Sequence, residues 1–192
     1  MMIIKINEKN LKKTVKILEN VIKNGGLAIV PTDTVYGIIC DGKNSVSKQS
    51  IFTLKGRKFD KTLIGFVENL QSAEKFAYIP AYFLNFIKPL WPGKNTFVFK
   101  SRVNLERLVT TKKTIGLRVP DFPLINTLNR KIEILASTSA NVSGEKSPSS
   151  FEEIPEKIKQ GVDICIDGGK LYGKPSALWD LTGDTAILLR KG

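Results

Sequence analysis

The residues of this chain best suited to chemistry are hydroxyls, lysines and arginines. It contains no histidine, which excludes His-based triads, histidine metal sites and the usual general base. Three stretches concentrate what remains. The first is Pro31-Thr32-Asp33-Thr34-Val35-Tyr36-Gly37, entered from the apolar run Leu27 to Val30. Pro31 lacks a backbone N–H and ends that strand. Thr32, Asp33 and Thr34 put two hydroxyls and a carboxylate into one short turn, and Gly37 permits a close backbone approach. A polar loop at the end of a buried strand is where α/β proteins bind ligands. Read blandly, it is a connecting turn.

The second stretch is Lys55-Gly56-Arg57-Lys58 with Lys61, four cations within seven positions. Arginine offers a planar fork for phosphate or carboxylate, and lysine a mobile point charge. A solvated basic helix end explains the same residues. The third is Ser137-Thr138-Ser139-Ala140-Asn141-Val142-Ser143-Gly144, which follows the apolar run Ile132 to Ala136 and continues into Ser147-Pro148-Ser149-Ser150. Its small polar side chains can surround an anion, although no Walker or GxGxxG motif is present. Arg118, in Gly116-Leu117-Arg118-Val119-Pro120, clamps a substrate carboxylate if it faces a cleft and otherwise faces solvent or pairs with an acidic side chain. Ser176 and Arg190 are open in the same way.

The elements that must position these residues are legible from periodicity. A short strand over 3–6 precedes a helix capped by Asn7 or Asn10, with Leu11, Val15, Leu18, Val21 and Ile22 inward and Gly25-Gly26 as its stop. Strands follow at 27–31 and 38–40. A helix from Asn44 or Ser45 points Val46, Ile51 and Leu54 inward, and 63–67 is a strand. Helices are expected at 72–78 and 81–90, halted by Trp91-Pro92-Gly93. Strands at 96–100 and 114–119, a helix at 123–130, a strand at 132–136 and a helix at 151–160 come next. Strands at 162–167, 177–181 and 186–190 close the chain, the last two joined by Thr182-Gly183-Asp184. Interleaved helices and strands with late hairpins predict an α/β fold on a mixed sheet.

Length and composition fit one domain over 1–192. Net charge is +12, from 30 Lys plus Arg against 18 Asp plus Glu; it favours polyanions such as nucleotide phosphates or RNA and says nothing about fold. Cys40 and Cys165 lie far apart in apolar runs, which predicts buried free thiols, a reducing cytoplasmic location and no zinc. No apolar run is long enough for a signal peptide or a membrane span.

Taken together, Pro31–Gly37, Lys55-Gly56-Arg57, Trp91-Pro92-Gly93, Leu117-Arg118-Val119-Pro120 and Ser137–Gly144 resemble the YrdC/TsaC family in its short, single-domain bacterial form. The family's KxR…SxN signature reads here as Lys55, Arg57, Ser139 and Asn141. The resemblance implies an open, twisted mixed sheet flanked by helices, with a basic concave face. It implies a nucleotidyltransferase that makes threonylcarbamoyl-AMP and pyrophosphate from L-threonine, bicarbonate or CO2, and ATP. Mg2+ would enter mainly on the ATP phosphates. The product serves threonylcarbamoylation of tRNA adenosine 37, with tRNA met directly or through a TsaD/TsaB/TsaE-like transferase complex.

Carried over by motif, Lys55, Arg57, Ser139 and Asn141 are the catalytic set. Arg57, Lys61, Thr114, Asn141, Ser149 and Arg190 would hold ATP. Thr34, Phe66, Arg118, Ser139 and Ser176 would hold threonine. Phe66 departs from the family, which often has histidine there; its ring offers apolar packing for the threonine methyl. Lys94-Asn95 and Lys58 are further departures. On this reading Arg57→Ala and Arg118→Ala stop catalysis and leave the fold intact. An RNA- or ribosome-binding relative without adenylate synthesis is the alternative, since a binder needs only the charge. A carbamoyl-transfer module of the hydrogenase-maturation kind is disfavoured by the absence of zinc motifs.

Overall fold

A computed structural model of the protein describes residues 2–56 and 62–192. Arg57, Lys58 and Lys61 therefore lie outside the described residues. In chain order the strands are β1 (Met2–Lys5), β2 (Ala28–Val30), β3 (Gly37–Asp41), β4 (Ile64–Phe66), β5 (Ala77–Tyr78), β6 (Asn95–Ser101), β7 (Thr114–Arg118), β8 (Leu135–Ser139), β9 (Ile164–Asp167), β10 (Ala177–Asp180) and β11 (Ile187–Arg190). The helices are α1 (Leu11–Lys23), α2 (Ser45–Lys55), α3 (Leu70–Glu74), α4 (Leu84–Ile87), α5 (Pro123–Asn129) and α6 (Glu156–Gln160).

The strands form one mixed sheet in the order β1-β9-β2-β3-β8-β4-β7-β6-β10-β11, with β5 paired to β6. Pairing is parallel for β1/β9, β9/β2, β4/β7 and β6/β10, and antiparallel elsewhere. The late hairpin is β10/β11. Strand alternation divides the side chains between two faces. Ile38, Cys40, Phe97, Phe99, Ile115, Leu117, Ala136 and Cys165 enter the larger core, with Ile51 and Phe52 of α2 and Ile87 of α4. Ala28, Val30, Ile39, Phe66, Leu135, Ile164 and Ile166 enter a second core under α1 and α5, through Val15, Leu18, Ile22, Leu124, Ile125 and Leu128. Those two helices cover only the β1-to-β4 side of that face. The rest of that face, from Ser137 and Ser139 of β8 and Ile64 of β4 across β7, β6 and β10, becomes the site.

Local differences from the sequence expectations have physical causes. Val46 points outward, at 74% exposure; it sits five positions before Ile51, about 140° around a helix, so burying Ile51 and Phe52 turns it away. Residues 72–78 are not one helix: Asn69 caps α3, whose Ser72 N–H donates to its side chain, and Ala77–Tyr78 then pair with Lys100–Ser101. Helix 151–160 shrinks to α6 because Pro155, lacking an N–H, sits at the cap. The strand expected at 132–136 runs on to Ser139, so Ser137, Thr138 and Ser139 are strand residues paired with Ile39, Ile38 and Gly37.

One connection shapes the open face. Residues 168–176 form a strap, with no helix or strand, between β9 and β10, which six other strands separate in the sheet. Seven inter-strand steps span about 34 Å if flat, at roughly 4.8 Å each. The ten chain steps from Asp167 to Ala177 reach at most about 33–36 Å. The strap is therefore close to the shortest connection that could cross a flat sheet of this order. The Tyr36 hydroxyl donates to Gly169 O at 2.7 Å and accepts from Gly168 N at 2.9 Å. Leu171 N donates to Ser149 O at 2.6 Å. At Gly173 an added Cβ would lie 2.3 Å from Thr34 O. The strap is thus laid directly on the Thr32–Tyr36 loop.

Candidate active site

The open face holds a cavity of about 340 Å³. Its floor reads out strand alternation: Ile64 and Phe66 from β4, Thr114, Gly116 and Arg118 from β7, Ser137 and Ser139 from β8, Val98 from β6 and Leu178 from β10. Its rim is the Thr32–Tyr36 loop, the strap through Pro175 and Ser176, and Arg190 of β11. Among the described lining residues the charged ones are Arg118 and Arg190, and most of the others carry hydroxyls. The resemblance implies a basic concave face; here the two lining arginines supply the positive charge, and Arg118 is paired with Asp33.

Arg118 is the hub. It is 3% exposed. Its Nε donates to Gly93 O at 3.0 Å, one terminal nitrogen to Thr34 Oγ1 at 3.0 Å and the other to Asp33 Oδ1 at 2.6 Å. Gly93 N in turn donates to Val119 O at 2.8 Å, which ties Trp91-Pro92-Gly93 to Leu117-Arg118-Val119-Pro120. Asp33 Oδ2 accepts from Asp121 N at 3.2 Å. Burial pulls the Arg118 pKa down, and the Asp33 carboxylate opposes that shift. The Phe66 ring lies under the guanidinium, 5.8 Å from its carbon. Removing one partner of a buried ion pair costs about 3–5 kcal/mol, so Arg118→Ala is expected to lower stability as well as activity.

The Thr32–Tyr36 loop has a single consistent proton assignment. Thr32 Oγ1 donates to Val35 O at 2.7 Å and accepts from Thr34 N at 3.1 Å. Its only proton is then used, so in the 2.9 Å contact between the two hydroxyls Thr34 is the donor. Thr34 Oγ1 is left with acceptor capacity alone, one part of it filled by Arg118.

Of the signature residues, Ser139 lines the cavity, whereas Lys55 and Asn141 sit behind its wall. The Lys55 ammonium, expected in a loop against phosphate, belongs to the last turn of α2 and is 1% exposed. It donates to Ser139 O, to Asn141 O and to Asn141 Oδ1. Asn141 Oδ1 also accepts from Ser139 Oγ, and its Nδ2 donates to Val142 O and Glu145 O. All four hydrogen-bonding positions of the Asn141 side chain are filled internally. These two residues shape the turn that presents Ser139, and no group of Asn141 is left to meet a nucleotide in this arrangement.

Thr114, Arg190 and Ser176 all line the cavity. Thr114 Oγ1 lies 2.7 Å from Thr110 Oγ1. Ser176 Oγ lies 2.9 Å from Thr96 Oγ1, and Arg190 donates to Ser176 O through Nε and a terminal nitrogen. Ser149 is not among the lining residues; its N–H and hydroxyl both bond Glu153 Oε2. Sequence reasoning missed the Asp33–Arg118 pair, the Tyr36 latch on the strap and Thr110. The acidic residue between two threonines was the one available signal for the first.

Among the described residues no cluster of His, Cys, Asp or Glu could hold a metal ion, and no helix is long and apolar enough to cross a membrane. The lining hydroxyls suit a cation that arrives carrying its own phosphate ligands and water.

Comparison with known proteins agrees with this architecture. The Sua5/YciO/YrdC family model, described as "Telomere recombination", matches residues 20–192. A putative threonylcarbamoyl-AMP synthase of Methanocaldococcus jannaschii is 36% identical over 191 residues, covering 99% of this chain and 91% of that protein. The uncharacterized protein YciO of Escherichia coli is 29% identical over 90% of this chain and 85% of that protein. In the solved structures, Sua5 of Pyrococcus abyssi complexed with L-threonine superposes with a TM-score of 0.90 at 31% identity, over 99% of this chain and 57% of that one. With the family model spanning most of its length, and the same sheet and helices around its cavity, this chain belongs to the Sua5/YciO/YrdC family.

Proposed function

We propose that the chain is an enzyme that condenses L-threonine, bicarbonate or CO2, and ATP into threonylcarbamoyl-AMP and pyrophosphate. The observation that carries this reading is the pairing, at one end of the cavity, of the Arg118 donors with the acceptor-only Thr34 hydroxyl. A carboxylate and an amine on neighbouring atoms, as in an α-amino acid, fit that pair. The threonine bound to the P. abyssi relative and the name of the M. jannaschii relative support the same substrate.

The chemistry asks for positioning and charge neutralisation more than for a titrating base. The threonine nitrogen adds to CO2 and loses a proton to give a carbamate. The carbamate oxygen then forms a bond to the α-phosphorus of ATP as the bond to pyrophosphate breaks. Arg190, held on the strap at Ser176 O, suits the phosphates, with Thr114 beside the nucleotide. Arg57 is assigned to the phosphates from its place in the signature, and Lys61, four residues on, from the same family resemblance. Mg2+ would neutralise the phosphate charge, held by the phosphates and reached by lining hydroxyls. The product would pass to a transferase complex acting on tRNA adenosine 37, in the cytoplasm.

Pyrophosphate release with ATP, Mg2+ and bicarbonate, with and without L-threonine, tests the proposal. Threonine-dependent release is the expected result. A second reading, RNA binding without adenylate synthesis, draws on the similarity to YciO. No release beside an active control enzyme, with RNA affinity that survives Arg57→Ala, would select it.

A further inference from the structure

We propose that Asp33 is a positioning and specificity residue that sets the Arg118–Thr34 end of the cavity to net neutrality, so that it takes a zwitterionic amino acid and rejects inorganic dianions. This rests on the proposed reaction for its choice of substrate. Four observations carry it. Asp33 is joined to Arg118 at 2.6 Å, with side-chain exposures of 7% and 4%, so the two charges cancel out of reach of bulk water. The second Asp33 oxygen is fixed by the N–H of Asp121, so the carboxylate cannot swing away to release the guanidinium. Three of the five Arg118 N–H donors are used, and one remains on each terminal nitrogen. Beside them Thr34 Oγ1 can only accept, because its proton goes to Thr32.

Two donors next to one acceptor, on a pair with no net charge, match an α-carboxylate next to an amine. A dianion finds the donors but no excess positive charge, and it faces an acceptor oxygen. Arg190, which also lines the cavity, bonds Ser176 O and has no carboxylate partner among the described residues. The two arginines are therefore unequal: Arg118 is charge-compensated by Asp33, and Arg190 is not. Wrong-partner rejection by charge placement of this kind is a general route to specificity.

The test titrates L-threonine into the whole protein by calorimetry, alone and against added sodium sulfate, for wild type, Asp33→Asn and Asp33→Glu, so that sulfate affinity is read only where it competes with L-threonine. Asp33→Asn keeps the shape and an acceptor for Arg118 but removes the charge. It is expected to bind sulfate about tenfold more tightly than wild type, while L-threonine affinity changes less and Asp33→Glu stays close to wild type. Equal sulfate affinity in wild type and Asp33→Asn overturns the proposal. If Asp33→Asn does not fold, wild type alone still decides: sulfate bound as tightly as L-threonine overturns it, and sulfate rejection retained in Asp33→Glu supports it. Wild-type protein that binds no L-threonine overturns the proposed reaction instead, a result distinct from the sulfate comparison.

Discussion

The Lys55 ammonium donates to the backbone carbonyl of Asn141 at 2.5 Å and to its side-chain oxygen at 3.2 Å. The end of α2 and the turn after β8, 86 residues apart in sequence, are thereby one unit. The Ser143 N–H adds a backbone bond to Lys55 O at 3.0 Å. Ser139 is presented to the cavity by this junction.

Lys55→Met keeps the length of the side chain and removes the donor from three acceptors. Leaving buried acceptors unsatisfied is expected to cost about 2–4 kcal/mol. For a domain of this size that lowers Tm by roughly 5–15 °C, read by circular dichroism. Threonine-dependent pyrophosphate release should fall with it, through Ser139. A variant that melts with wild type would show that the ammonium carries nothing in the fold.

Stability should decline at alkaline pH. Burial raises the Tyr36 phenol and the Cys40 thiol to about 12, and the Cys165 thiol to about 11. Each group holds its proton in the folded state where the unfolded chain has already released it. Their stabilisation is therefore complete below the unfolded pKa values, near 9 for the thiols and 10 for tyrosine. It is lost as pH rises through the folded values, by up to about 1.4 kcal/mol per pH unit for each proton. Urea midpoints measured from neutral pH upward should fall above about pH 9, and less steeply in Tyr36→Phe. Midpoints that stay level would contradict buried, protonated thiols.

Gly173→Ala tests the contact between strap and loop. The new Cβ would meet backbone atoms of Thr34 at 2.3–2.8 Å, so either the strap or the Thr34 loop must move. Displacements of this order near a substrate cost up to about a hundredfold in catalysis. The expected pattern is a raised KM for threonine with a nearly unchanged melting temperature, since few core contacts are lost. Wild-type KM would mean that the strap is not held against the site in solution.

Much of this was legible in the sequence, for identifiable reasons. Helical periodicity marked α1 and its inward residues, and strand alternation marked β6 and β7. Thr34, Phe66, Thr114, Arg118, Ser139, Ser176 and Arg190, scattered over the chain, do reach one cavity. What failed were questions of facing and partnership. Lys55 and Asn141 carry the residue types of a ligand site, but type does not say on which side of a wall a side chain stands. Asp33 reads as an ordinary turn residue until β7, three strands from β3 in the sheet, brings Arg118 to it. Strand order is set by long-range pairing, and local spacing carries no information about it.

The strap between β9 and β10 works as a bowstring. It crosses six strands with few residues to spare and is pinned to the Thr32–Tyr36 loop, so its length bears on how far Pro175 and Ser176 reach over the cavity. Extra residues in a surface connection change its closure entropy only slowly, by about 0.6 kcal/mol per doubling, so thermodynamic stability would barely register a slackened string. The geometry of the cavity would register it at once. A chain of this design can be retuned for a larger or smaller occupant by adding or removing one residue in the strap, with every side chain on the floor unchanged.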